Sequence, residues 1–144
     1  MGTISKNFSY YEFEDSDIAE YHNIRNVIST FEVRDSVKAL VLTVLQPLRD
    51  AIGLPIIINS GYRCLELNRL TPNSSATSQH TKGEAADIRI QGVSPRQIAI
   101  RVRDLGLPFD QMILYPSFLH ISHKLNGEQR GQIIYNKRYK GEKI

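Results

Sequence analysis

Apolar residues at Val37, Leu40, Val41, Val44, Leu45 and Leu48 recur every three or four positions, the longest periodic stripe in the chain. A stripe of that period lines one face of an amphipathic helix. Asp35 or Ser36 is placed to cap its start, and Gly53 to stop it. Pro47 stands inside the stripe. It lacks an N–H, and its ring crowds the carbonyl four residues earlier, so it is expected to kink or divide the helix. Beyond Gly53 the pattern changes to short apolar runs between breakers. Residues 55–59 hold three consecutive isoleucines and read as a buried strand. Residues 64–70 read as a short helix, 87–90 as a strand, and Ser94-Pro95 opens a helix that Gly106 closes. Strands at 111–114 and 118–122 meet at a Tyr115-Pro116-Ser117 turn, with one more at 131–135. Near the start, Phe8, Tyr11 and Phe13 are positioned to pack a short helix onto the body. Helices first, then short strands mixed with helices, predict an α+β domain whose antiparallel sheet is covered by helices on one face.

A length of 144 residues suits one domain that folds without cross-links, so a bound metal would be there for function. The single cysteine, Cys64, excludes an intramolecular disulfide. The sequence pI is about 9.1, but acidic residues dominate positions 1–20, and the basic surplus gathers from Lys124 onward. The chain therefore reads as a domain over 1–136 and a solvated basic tail over 137–144, without the charge density of a nucleic-acid arm. No apolar stretch approaches the roughly 18 residues of a membrane span, so no membrane insertion is expected. No basic segment followed by an apolar run marks a secretory signal. A monomer made in the cytoplasm is expected.

Residues 71–84 are rich in Pro, Asn, Ser, Thr and Gly, and a loop this long in a compact domain is usually functional. It leads into Ser78-Gln79-His80-Thr81-Lys82-Gly83-Glu84-Ala85-Ala86-Asp87, where Gly83 permits a bend between His80 and Asp87. An imidazole and a carboxylate from a loop and its following strand supply two of the three protein ligands of a catalytic zinc. Strand alternation puts His120 on the face of Phe118 and Ser122, and Asp87 on the face of Arg89. If these strands pair with the two faces aligned, His120 and Asp87 point at one ion. Arg63, in Ser60-Gly61-Tyr62-Arg63, is placed to fork onto a substrate carboxylate. Each residue alone has an ordinary alternative: a solvated histidine, a turn-forming aspartate, a half-buried hydrogen-bonded histidine, an exposed arginine.

Together, Ser60-Gly61-Tyr62-Arg63, Ser78-x-His80-x-x-Gly83-x-Ala85-x-Asp87, Phe109-Asp110-Gln111 and His120-Ile121-Ser122 resemble in order and spacing the zinc D-Ala-D-Ala carboxypeptidases and L-Ala-D-Glu endopeptidases, which share the fold of hedgehog signalling domains. The compact form is similar to phage and prophage peptidases. The resemblance implies Zn2+ held by His80, Asp87 and His120, and substrate held by Arg63 and Ser78; Tyr115 is a further substrate-binding candidate, able to stabilise an oxyanion but a poor base at neutral pH. The implied partners are peptidoglycan stem peptides, reached after phage-type release or on a particle. Where the family usually carries a Glu shortly before the last His, residues 114–119 hold no carboxylate. Asp110 and Glu84 are left as candidates for the general base. The missing Glu also leaves open a zinc-holding but inactive binding module on the same fold.

Overall fold

The computed structural model describes residues 2–144. A two-stranded sheet, β1 (Thr3–Ser5) and β2 (Phe8–Ser9), leads into α1 (Tyr10–Glu14) and α2 (Asp17–Tyr21). The first aromatic segment packs inward through Phe8, Tyr10 and Phe13, while Tyr11 is 66% exposed. In a five-residue helix, Tyr10 and Phe13 are three apart and share a face that Tyr11 does not.

The apolar stripe forms one continuous helical rod made of α3 (Phe31–Leu40), a π-helical turn (Val41–Leu45) and α4 (Gln46–Ile52). It starts earlier than Asp35 or Ser36 because the Thr30 side chain accepts the Val33 N–H at 3.2 Å. That first turn buries little, and Phe31 is 86% exposed, so no apolar pattern marks it. Pro47 does not break the rod. Gln46 donates its N–H to Val41 O, five residues back, and this wider turn accommodates the proline ring. All six stripe residues are fully buried.

The main sheet contains β3 (Ile57–Ser60), β4 (Ala85–Arg89), β5 (Gln111–Leu114), β6 (Leu119–Ser122) and β7 (Gln132–Tyr135) in the order β3-β4-β6-β5-β7. The first four pair antiparallel, as expected, whereas β7 runs parallel to β5. The reason lies in the preceding loop. Gly131 donates its N–H to Phe109 O and Gln132 to Asp110 O, so the chain enters β7 beside the start of β5. Between the strands lie α5 (Leu65–Leu70), a 3-10 turn (Gln79–Lys82) and α6 (Pro95–Asp104), whose Ser94 and Gln97 form a reciprocal cap. The rod, α6 and the sheet enclose one core that includes Leu45, Leu48, Ile88, Val102, Met112 and Leu119.

Residues beyond Asn136 fold back over β7. Tyr139 and Ile144 pack against the core, and the Ile144 N–H donates to the Tyr135 hydroxyl at 2.9 Å. Two apolar side chains within the basic segment thus hold it to the body, where charge alone suggested a solvated end.

Candidate metal site and cleft

Three segments converge on the site, each held by a different device. His80 rides on the 3-10 turn, whose start is capped by the Ser78 hydroxyl accepting the His80 N–H at 3.2 Å. Gly83 ends the turn at φ 73°, where an added Cβ would lie 2.8 Å from the Val33 carbonyl oxygen of α3. That close approach is what glycine permits, and it seats the His80 loop on the long rod. Asp87 is the third residue of β4 and pairs directly with His120 of β6, which aligns the two polar faces. Ser60 of β3 faces Asp87 from the other side.

The donor atoms of His80, Asp87 and His120 lie within 4.8 Å of one another. His80 Nδ1 is 2.6 Å from Gly61 O. A carbonyl oxygen only accepts, so Nδ1 carries the proton and Nε2 presents its lone pair. That lone pair faces Asp87 Oδ1 at 3.3 Å, and His120 Nδ1 is 2.9 Å from the same oxygen. Burial lowers the His80 pKa and keeps the ring neutral, although Asp87 opposes the shift. Burial also raises Asp87, but the His120 and His80 rings set against its carboxylate outweigh that and hold the carboxyl below the usual carboxylate range. The His80 Nε2 lone pair set against the Asp87 carboxylate repels it unless a cation lies between them. The residues therefore fit a divalent ion, with Gly61 O fixing the ring of one ligand from behind.

A cavity of about 410 Å³ opens over these donors, lined also by Arg63, Tyr115, Gln111, Arg130 and the loop from Asn73 to Gln79. Arg63 is only 8% exposed. Its Nη1 donates to Asn68 Oδ1 at 3.1 Å, and its Nε is buried without a hydrogen-bond partner among the described residues. Burial lowers its pKa, with Asp87 opposing, and the guanidinium stays charged at neutral pH. Tyr115 stacks on Phe118 with ring centroids 4.3 Å apart. Burial raises the pKa of its phenol, and Asp87 adds to that, so the hydroxyl remains a donor at neutral pH. Ser78 lines the cavity while its oxygen caps the turn.

Asp110 and Glu84 lie outside the cavity lining. Asp110 is fully buried and accepts from the Arg130 backbone N–H and Nε at 3.0 Å, from Arg130 Nη2 at 2.7 Å and from Gln79 Nε2 at 3.1 Å. The Glu84 carboxylate accepts from Gln79 and from the Leu125 backbone N–H. Among cavity-lining residues, Asp87 is the one carboxylate.

Burial raises the Asp110 pKa, yet the bonds from Arg130 and Gln79 overcome it and push the pKa down to about 2 from 3.8. A carboxyl depressed on folding stabilises the protein above its unfolded pKa, and that contribution disappears as pH falls through the folded value. Asp110→Asn is therefore expected to lose stability at neutral pH, and to show a shallower further loss than wild type between about pH 4 and 2. Denaturant midpoints followed across that window would refute the assignment if the two profiles ran parallel.

Several contributors carry no sequence signal. Asn26 donates to Glu14 O and Tyr62 O and accepts the Cys64 N–H at 2.8 Å, locking the segment that presents Arg63. Asn68 passes Arg63's position on to the loop by donating to Ser75 O at 2.8 Å. Their partners are distant in sequence or depend on loop path, so no motif reveals them. In the sequence Arg130 counts only toward the basic surplus from Lys124 onward, and its place in the cavity follows from the clamp on Asp110.

A family model described as Peptidase M15 matches residues 10–122. No curated protein matches the chain. The paired strands that carry Asp87 and His120 and the buried neutral His80 fall within the matched span, and the chain belongs to the peptidase M15 family, whose members are metal-dependent.

Proposed function

We propose that this protein is a zinc peptidase that hydrolyses peptide bonds in peptidoglycan stem peptides, with His80, Asp87 and His120 as the zinc ligands. The observation that carries the reading is the convergence of those three donors beneath a cleft lined by Arg63. Zinc suits a donor set of two imidazoles and one carboxylate, and when bound it would polarise a carbonyl and lower the pKa of a coordinated water to about 7.

The chain's own residues supply positioning. The Gly61 carbonyl holds the His80 ring and the Ser78 cap holds its backbone, so the lone pair is aimed before substrate arrives. Arg63, braced by Asn68, presents unpaired N–H groups suited to a peptide carboxylate. The Tyr115 hydroxyl, stiffened by its stack on Phe118, is placed to donate to an oxyanion as it forms. Asp110 and Glu84 serve in this reading as anchors of the Gln79 and Arg130 walls rather than as the base, because their oxygens are already engaged. The compact phage-type resemblance supports delivery to a cell wall by phage-type release or on a particle.

A second reading, a zinc-holding module without activity, is favoured by one fact: no lining carboxylate other than Asp87 stands ready to take a proton. Incubation of the zinc-loaded chain with purified stem peptides, followed by mass spectrometry, separates the two. The peptidase reading expects a released terminal D-Ala or an internal cut, and the products identify the bond. Uncut peptides with zinc still bound would establish the module instead.

A further inference from the structure

We propose that Arg130 is a specificity residue, a second guanidinium in the cleft that works with Arg63 to select peptides carrying two carboxylates. This rests on the peptidase reading and adds the substrate class. The charged side chains lining the cavity, apart from the histidines, are Arg63, Arg130 and Asp87, and Asp87 is turned toward the two histidines. A substrate therefore meets two cationic forks with no free anion between them. One carboxylate satisfies one fork. The second fork is idle unless the peptide brings another.

Arg130 is built into position. Its Nε and Nη2 grip the two oxygens of the buried Asp110, and its backbone N–H binds the same carboxylate. Nη1 has no partner among the described residues, and the side chain remains 43% exposed on the cavity side. The guanidinium is thus immobilised by one edge and open at the other, so little rotamer freedom is left to lose on binding. Asp110 does not cancel the local charge, because Lys124 Nζ also lies 3.7 Å from its Oδ1. Gln79, next to His80, donates to Asp110 as well, which ties this wall to the metal loop and fixes the Arg130 fork relative to the reacting centre. Arg130 lies beyond residues 10–122, outside the family match.

The test uses two stem-type peptides that differ at one group, a glutamyl residue with its carboxylate free or as the carboxamide, both keeping a free C-terminus. Binding to the zinc-loaded protein is measured by titration calorimetry, and cleavage separately by mass spectrometry. Wild type is expected to favour the dicarboxylate about tenfold or more. The double variant Asp110→Asn with Arg130→Gln keeps a neutral hydrogen-bonded pair, and its ratio should fall to near one. Arg103→Gln, at an exposed position on α6, should keep the wild-type ratio. If the double variant does not fold, Arg130→Lys replaces it: lysine retains the charge against Asp110 without the free edge, and the preference should shrink to below about threefold. Equal binding of the two peptides by wild type, no binding of either, or a preference that survives in the variant would overturn the proposal. Preference without cleavage would leave Arg130 as assigned and remove the peptidase reading. Cleavage without preference would do the reverse.

Discussion

His80→Ala is expected to empty the metal site, taking the purified chain from about one zinc per molecule to background. The imidazole is one of three donors, and a two-donor remnant of Asp87 and His120 cannot close the coordination of a buried ion. Peptidase activity should fall by about a thousandfold or more, since several kcal/mol of transition-state stabilisation depend on the ion. Elemental analysis and stem-peptide turnover check the two effects separately. His120→Ala should behave alike, because β4–β6 pairing sets it on the same oxygen of Asp87. Retention of stoichiometric zinc by either variant would rule out this ligand set.

Gly61→Ala should damage fold and site together. An added Cβ would meet Phe13 Cα at 2.7 Å and Phe13 O at 2.9 Å, and these are backbone atoms of α1 that cannot swing aside. The neighbouring Tyr62 N–H donates to that same Phe13 O at 2.7 Å, so the two segments must separate to admit a methyl group. Overpacking of this kind is expected to cost about 2–4 kcal/mol, lowering the melting temperature by roughly 5–15 °C. The Gly61 carbonyl also orients His80 at 2.6 Å. Moving it should weaken zinc binding by about ten- to a hundredfold. Denaturant unfolding and competition with a chelator measure the two losses. Unchanged stability would show that α1 and β3 yield more easily than their contact implies, and unchanged affinity would remove Gly61 from the metal site.

The legible parts of this protein were those where a local rule has one outcome. The stripe from Val37 to Leu48 is buried at all six positions because 3.6-residue periodicity leaves no other face for it. Period-two alternation likewise placed Asp87 and His120 on faces that could meet, and the observed register joins them directly. Local rules failed where a partner came from elsewhere. The start at Thr30 was hidden because its first turn is exposed, and the passage through Pro47 depends on a π turn that no residue type announces.

The sequence was enough to establish an α+β chain and three candidate donors, because helical period, strand alternation and the His80-to-Asp87 spacing act over a few residues. Tertiary structure decided the parallel β7, the engagement of Asp110 by Arg130, and the entry of that arginine into the cleft. Each depends on a contact across 20 or more residues, and the direction of a long loop is set by such contacts rather than by local preference. Arg130 shows the difference most plainly: counted by charge it belongs to a basic end, and positioned by a buried carboxylate it lines the cleft.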